Sequence, residues 1–71
     1  MKNEIQLLDV VVLKEPLLNE RLQQGSIGTV VEVFDAENFL VEFADQSGVA
    51  YAIVPLKAEQ LIKVHSEPIP A

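Results

Sequence analysis

Cysteine and tryptophan are absent from the 71 residues. Without cysteine there is no disulfide framework and no thiolate metal site. A chain this short must therefore hold together through one core, with self-association as the remaining support, and the lack fits a reducing compartment. Aromatic residues are scarce, with one tyrosine and three phenylalanines. A groove for proline-rich peptides or a methyl-lysine cage needs more, because the core should claim at least two of Phe34, Phe39 and Phe43, and Tyr51 reads as a half-buried strand residue. Basic residues are few as well: five against eleven acids, a formal charge of −6. Lys2, Lys14, Arg21, Lys57 and Lys63 are scattered and form no stripe, so the average field disfavours nucleic acid and anionic membranes, and a charged partner should be basic. The only histidine, His65, stands beside a patternless end. Ser26 and Ser47 lie in turns where serine has a structural use. The expectation is a chain with no catalytic residues, no metal site and no cofactor. No apolar run approaches bilayer length, and the start, Met1 to Ile5, lacks the basic and apolar regions of a secretory signal, which predicts a cytoplasmic protein without a membrane span.

What is present is apolar material. The hydrophobic fraction is 49% and the mean hydropathy +0.25, so disorder over most of the length is excluded and a single domain is expected over residues 1–65, with a disordered tail at 66–71. The organising stretch is Gly25-Ser26-Ile27-Gly28 followed by a β-branched run to Phe34, a turn feeding a strand; glycine there can reverse the chain or let backbone pass close to a neighbour. Strands are predicted at Leu8–Leu13, Thr29–Phe34, Phe39–Phe43, Val49–Val54 (ended by Pro55) and Leu61–Val64. Leu17–Gln24 reads as a loop with at most a short turn of helix, and Lys57–Gln60 as one helical or 3-10 turn. Alternation places Val31 and Val33 on one face with Phe39, Val41 and Phe43, leaving Glu32 and Glu42 together on the other, although a bulge near Val30 would reverse part of this.

Five short strands with a long first loop, two tight hairpins and a short helical turn before the last strand follow the order of an all-β, five-stranded SH3-like barrel. Carried by Asp9–Leu13, Gly25–Val33, Val41–Phe43 with Asp45 and Gly48, and Leu56–Leu61, the pattern over Leu7–Val64 resembles a family of small bacterial proteins of unknown function, common in cyanobacteria, that read as SH3-like barrels. Gly25–Val33 also resembles, more weakly, the KOW motif of ribosomal and transcription-factor domains. The first resemblance implies a fold and leaves the task open; the second implies an RNA- or ribosome-associated module, against which the charge stands.

The candidate site is therefore a protein-binding surface. The first strand is apolar on both faces and the loop adds Leu17, Leu18 and Leu22, so either an apolar patch stays uncovered or the loop folds over it. Glu32, Asp35, Glu37, Glu42 and Asp45 would supply an acidic rim to steer a basic partner. This is the surface of a non-enzymatic interaction module, an acidic antitoxin or immunity-type subunit or an accessory subunit of a larger assembly, present as a monomer or weak homodimer.

Overall fold

Phe39, Val41 and Phe43 alternate with half-buried Leu40 and Glu42 in a strand whose inward side chains are 1%, 0% and 0% exposed, and the rest of the chain is arranged to cover them. A computed structural model describes residues 4–45 and 47–64. The elements are β1 (Val10–Leu13), a 3-10 turn (Leu18–Glu20), β2 (Ile27–Asp35), β3 (Asn38–Ala44), β4 (Ala50–Lys57), a second 3-10 turn (Ala58–Gln60) and β5 (Leu61–Lys63). The protein is thus all-β, as expected, and both short turns fall where the sequence placed them. His65 and the tail expected at 66–71 lie outside the described residues.

All pairings are antiparallel and give one sheet in the order β4-β3-β2-β1-β5. Val11 and Leu13 of β1, Val30 of β2, Val54 and Leu56 of β4 and Leu61 of β5 join the three β3 side chains and Leu22 in one core. A single layer buries one face this thoroughly only by curling onto itself. Among the described residues, however, the hydrogen-bonded ladder does not close. β4 and β5 remain its two edges, so the expected barrel is an open five-stranded sheet by its pairing.

Three differences from the sequence reading have local causes. Val30 faces Val41 and Glu32 faces Leu40, so Val31 is the extra residue of a β-bulge. The phase shifts there, as the alternative of a bulge near Val30 allowed, and Val30 takes the core position otherwise expected of Val31, which is 36% exposed. Val33 keeps its expected place opposite Phe39, and Glu32 and Glu42 do share the outer face, flanking Leu40. Secondly, β4 runs through Pro55 to Lys57. Proline was read as its end because it cannot donate to a ladder, but an edge strand leaves one side free of that demand. Thirdly, Tyr51 is 56% exposed where a half-buried residue was expected, because Ala52 takes the inward position and turns Tyr51 outward.

Candidate functional site

The first loop does not fold over the outer face of β1. Ile27 and Ile62, which flank Val12 across the sheet, stay 62% and 51% exposed. The loop instead makes a lobe. Leu17 and Leu22 exchange two backbone hydrogen bonds, the N–H of Leu17 donating to the Leu22 carbonyl at 2.8 Å and the reverse at 3.0 Å. Leu18–Glu20 curls between them as the 3-10 turn, and Arg21 closes it in the left-handed conformation at φ 57°. Leu22 then drops into the core, 3% exposed, while Leu18 projects at 84%.

Opposite this lobe stand the end of β4 and the turn after it. Pro16, Leu17 and Leu18 on one side and Val54, Pro55 and Leu56 on the other line a cleft, with Asn19, Glu20 and Gln60 as polar members. Pro55, Leu56 and Gln60 continue into a second depression with Phe34, Asp35 and Asn38. Asp35 and Asn38 in turn border a third with Glu37, Lys57 and Glu59. The result is one open groove, apolar in the middle, reaching from the lobe to the tip of the β2–β3 hairpin.

The turn Ala58–Gln60 fixes both walls. Lys14 of the first loop donates its N–H to the Gln60 carbonyl at 2.9 Å, and Ala58 donates its N–H to the carbonyl of Glu37 in the hairpin at 2.9 Å. The Gln60 side-chain oxygen accepts the Lys57 N–H at 2.9 Å, which caps the turn itself. Three segments distant in sequence are thereby held in one geometry.

Charge follows the same layout. Glu20, Asp35, Glu37 and Glu59 border the groove and Lys57 is the cation among them. Asp35 accepts the Glu37 N–H at 2.8 Å and the Asn38 side-chain amide at 2.9 and 3.0 Å. The Glu37 backbone donor, followed by the Asn38 amide, holds its carboxyl below the usual aspartate range, so it remains anionic at neutral pH. A carboxyl with a depressed folded pKa stabilises the fold above its unfolded pKa and loses that contribution as pH falls through the folded value. Asp35→Ala should therefore unfold at a lower temperature than the parent near pH 7, and the gap between their midpoints should narrow as the pH is taken below about 4. Thermal melts at the two ends of that range check it; a gap independent of pH would show that the hairpin tie does not depend on the charge.

Of the residues singled out in the sequence, Leu17, Leu18, Asp35 and Glu37 meet along this groove. Glu32 and Glu42 lie on the outer sheet face. Asp45 sits at the opposite end of β3 from Asp35, where its carboxylate accepts the N–H groups of Ser47 and Val49 at 2.9 and 3.0 Å and shapes the β3–β4 turn. Sequence reasoning missed Phe34, Pro55, Glu20 and Glu59. Phe34 carried a signal: it was one of three phenylalanines of which the core was expected to take at least two, and it is 52% exposed.

Comparison with known proteins gives one family. The model of a domain of unknown function (DUF4926) matches residues 7–63, nearly the stretch on which the sequence resemblance rested, and the chain belongs to that family. No curated protein and no solved structure matches it.

Proposed function

For this member of the DUF4926 family we propose a non-enzymatic role in the cytoplasm, as an interaction module that seats a basic segment of another protein in the groove between the first loop and the Ala58–Gln60 turn. The observation that carries it is the coincidence of an apolar floor, Leu17, Leu18, Phe34 and Pro55, with four bordering carboxylates and one lysine. Apolar side chains of the ligand bury against the floor while its cations meet Glu20, Asp35, Glu37 and Glu59, the division of labour of a well-packed centre with a polar rim. The wider field of a chain with net charge −6 steers the same ligand inward and repels phosphate backbones. At the level of biology the reading is an acidic antitoxin or immunity-type subunit masking a basic protein such as a nuclease, or an accessory subunit of a larger assembly.

Capture with the full chain as bait, from an extract of the organism that encodes it, should return one basic protein or one defined complex. Its affinity should fall roughly tenfold or more on joint reversal of Glu37 and Glu59 to Lys, with a flatter salt dependence. Joint reversal of Glu32 and Glu42 to Lys, on the outer sheet face, should leave the affinity nearly unchanged. The opposite ranking would move the partner to that face. Salt-sensitive retention of RNA in place of protein would replace the proposal with the KOW-type reading.

A further inference from the structure

The groove uses only the far half of β4; among the described residues the near half is an unpaired sheet edge of a different character. From Val49 to Val54 the strand reads Val-Ala-Tyr-Ala-Ile-Val, with no charge and no proline, and Val49, Tyr51 and Ile53 are 60%, 56% and 54% exposed. Sheet edges attract other strands, and proteins blunt them with short length, lysine or proline. Those devices are present elsewhere in this sheet. β5, the other edge, has three residues and ends in Lys63, and the far half of β4 carries Pro55 and Lys57. The near half has none of them.

We infer that the Ala50–Val54 edge pairs with the same edge of a second copy of this chain, forming a two-fold dimer with a sheet continuous across both. Charge selects the second copy as the occupant. An acidic chain meeting itself must bring together surfaces free of carboxylates, and this edge has none, whereas a basic strand from another protein would gain nothing from an uncharged strip. Two acids stand nearest: Asp45, whose carboxylate accepts the Val49 N–H at 3.0 Å just outside Ala50–Val54, so that its two copies fall at opposite ends of an antiparallel seam, and Glu42, opposite Ile53 on β3. With strands spaced at roughly 4.8 Å, the two copies of Glu42 would stand three intervals apart, roughly 14 Å. That exceeds the screening length of about 8 Å at physiological salt, so their repulsion is slight.

The register follows. The antiparallel alignment that pairs Ala50–Val54 with itself is centred on Ala52, which sets Tyr51 against the second copy's Ile53 and, by symmetry, Ile53 against its Tyr51. Each is an aromatic to β-branched cross-strand pair, a favourable kind. The ladder stops at Pro55, which has no N–H to give.

Sedimentation velocity on the full chain from about 1 µM to about 1 mM should show a monomer passing to a dimer. Tyr51→Lys and Ile53→Lys, both at exposed positions, should each weaken the dimer at least roughly tenfold while circular dichroism stays that of the parent. Ile62→Lys, which places the same charge on the outer face of β5, should leave it intact. A chain monomeric throughout that range overturns the inference. So does a dimer that survives both β4 variants, or one that Ile62→Lys dissolves.

Discussion

Gly28→Val is expected to leave the chain without a folded state at room temperature, with the sheet signal in circular dichroism lost and the amide resonances collapsed to random-coil dispersion. The two other glycines, Gly25 and Gly48, adopt φ of 90° and 85° in turns open to solvent, so alanine there meets no atom and costs only the left-handed conformation, about 1–2 kcal/mol. Gly28 is needed for room. A Cβ on it would stand 2.6 Å from Val41 Cγ1, 2.9 Å from Phe43 Cε1 and 3.0 Å from the carbonyl oxygen of Glu42. Val41 and Phe43 are fully buried and have nowhere to move, and the third neighbour is backbone of the β2–β3 ladder. Overpacking by single methylenes costs about 1–3 kcal/mol, and valine adds two carbons beyond the Cβ. At about 0.05–0.15 kcal/mol per residue, a domain of this size holds only on the order of 4–11 kcal/mol in all.

The milder Gly28→Ala isolates the cause. It should lose about 2–3 kcal/mol by urea titration. Combined with Val41→Ala, which removes the nearest obstructing atom, it should be destabilised by less than the sum of the single variants, by at least about 0.5 kcal/mol. Strict additivity would mean that the added carbon is accommodated elsewhere.

Gly28 also marks the limit of what the sequence discloses. The Gly-x-x-Gly spacing followed by β-branched residues announces a turn and a strand, and both exist. That one glycine serves the turn and the other serves contact with β3 depends on which residue β3 places opposite, and this is a property of the pairing. The bulge was half legible for the same reason: adjacent Val30 and Val31 break the alternation and leave a bulge open, but that Val31 is the displaced residue is fixed only relative to Val41 and Leu40. Pro55 misled in a related way, since whether a proline ends a strand depends on whether the strand is an edge. By contrast, Phe39, Val41 and Phe43 were legible as core because a period-two spacing of large apolar residues within one strand, here broken only by apolar Leu40 on the other face, needs no partner to interpret.

The groove divides along the same line. Leu17 and Leu18 stood out as more apolar than a loop requires, and Asp35 and Glu37 as a polar turn, each from its own neighbourhood. Their meeting depends on two backbone hydrogen bonds, Lys14 to Gln60 and Ala58 to Glu37, and neither leaves a trace in residue type because every residue but proline can make them. Gln60, which braces the turn with its carbonyl and its side chain together, looks in the sequence like an ordinary polar residue of a short connection.

The residue that ties this groove to the stability of the fold is Leu22, and Leu22→Ala should cost about 2–4 kcal/mol by urea titration, the range for truncating a leucine at a packed site. Leu22 is 3% exposed although it belongs to the loop, and among the described residues it is the one fully buried member of the core that no strand contributes. Its truncation acts twice. The core loses a side chain near the edge where Leu17 also packs, and the paired hydrogen bonds between Leu17 and Leu22 lose the anchor that holds them against the sheet. The lobe carrying Leu18 and Glu20 then opens by local unfolding at a free energy well below that of the whole domain. Hydrogen exchange should accordingly show the amides of Leu17, Glu20 and Leu22 losing protection by a larger factor than those of Val41 and Phe43, which report global opening. Partner affinity should fall too, even though Leu22 touches no ligand in the groove, because the apolar wall must be re-ordered on binding. Leu22→Met, which conserves volume, should restore most of the stability and the affinity together. Equal loss of protection at the loop and in β3 would show that the lobe and the sheet open as one unit. Unchanged affinity in Leu22→Ala, with the domain still folded, would remove the lobe from the binding surface.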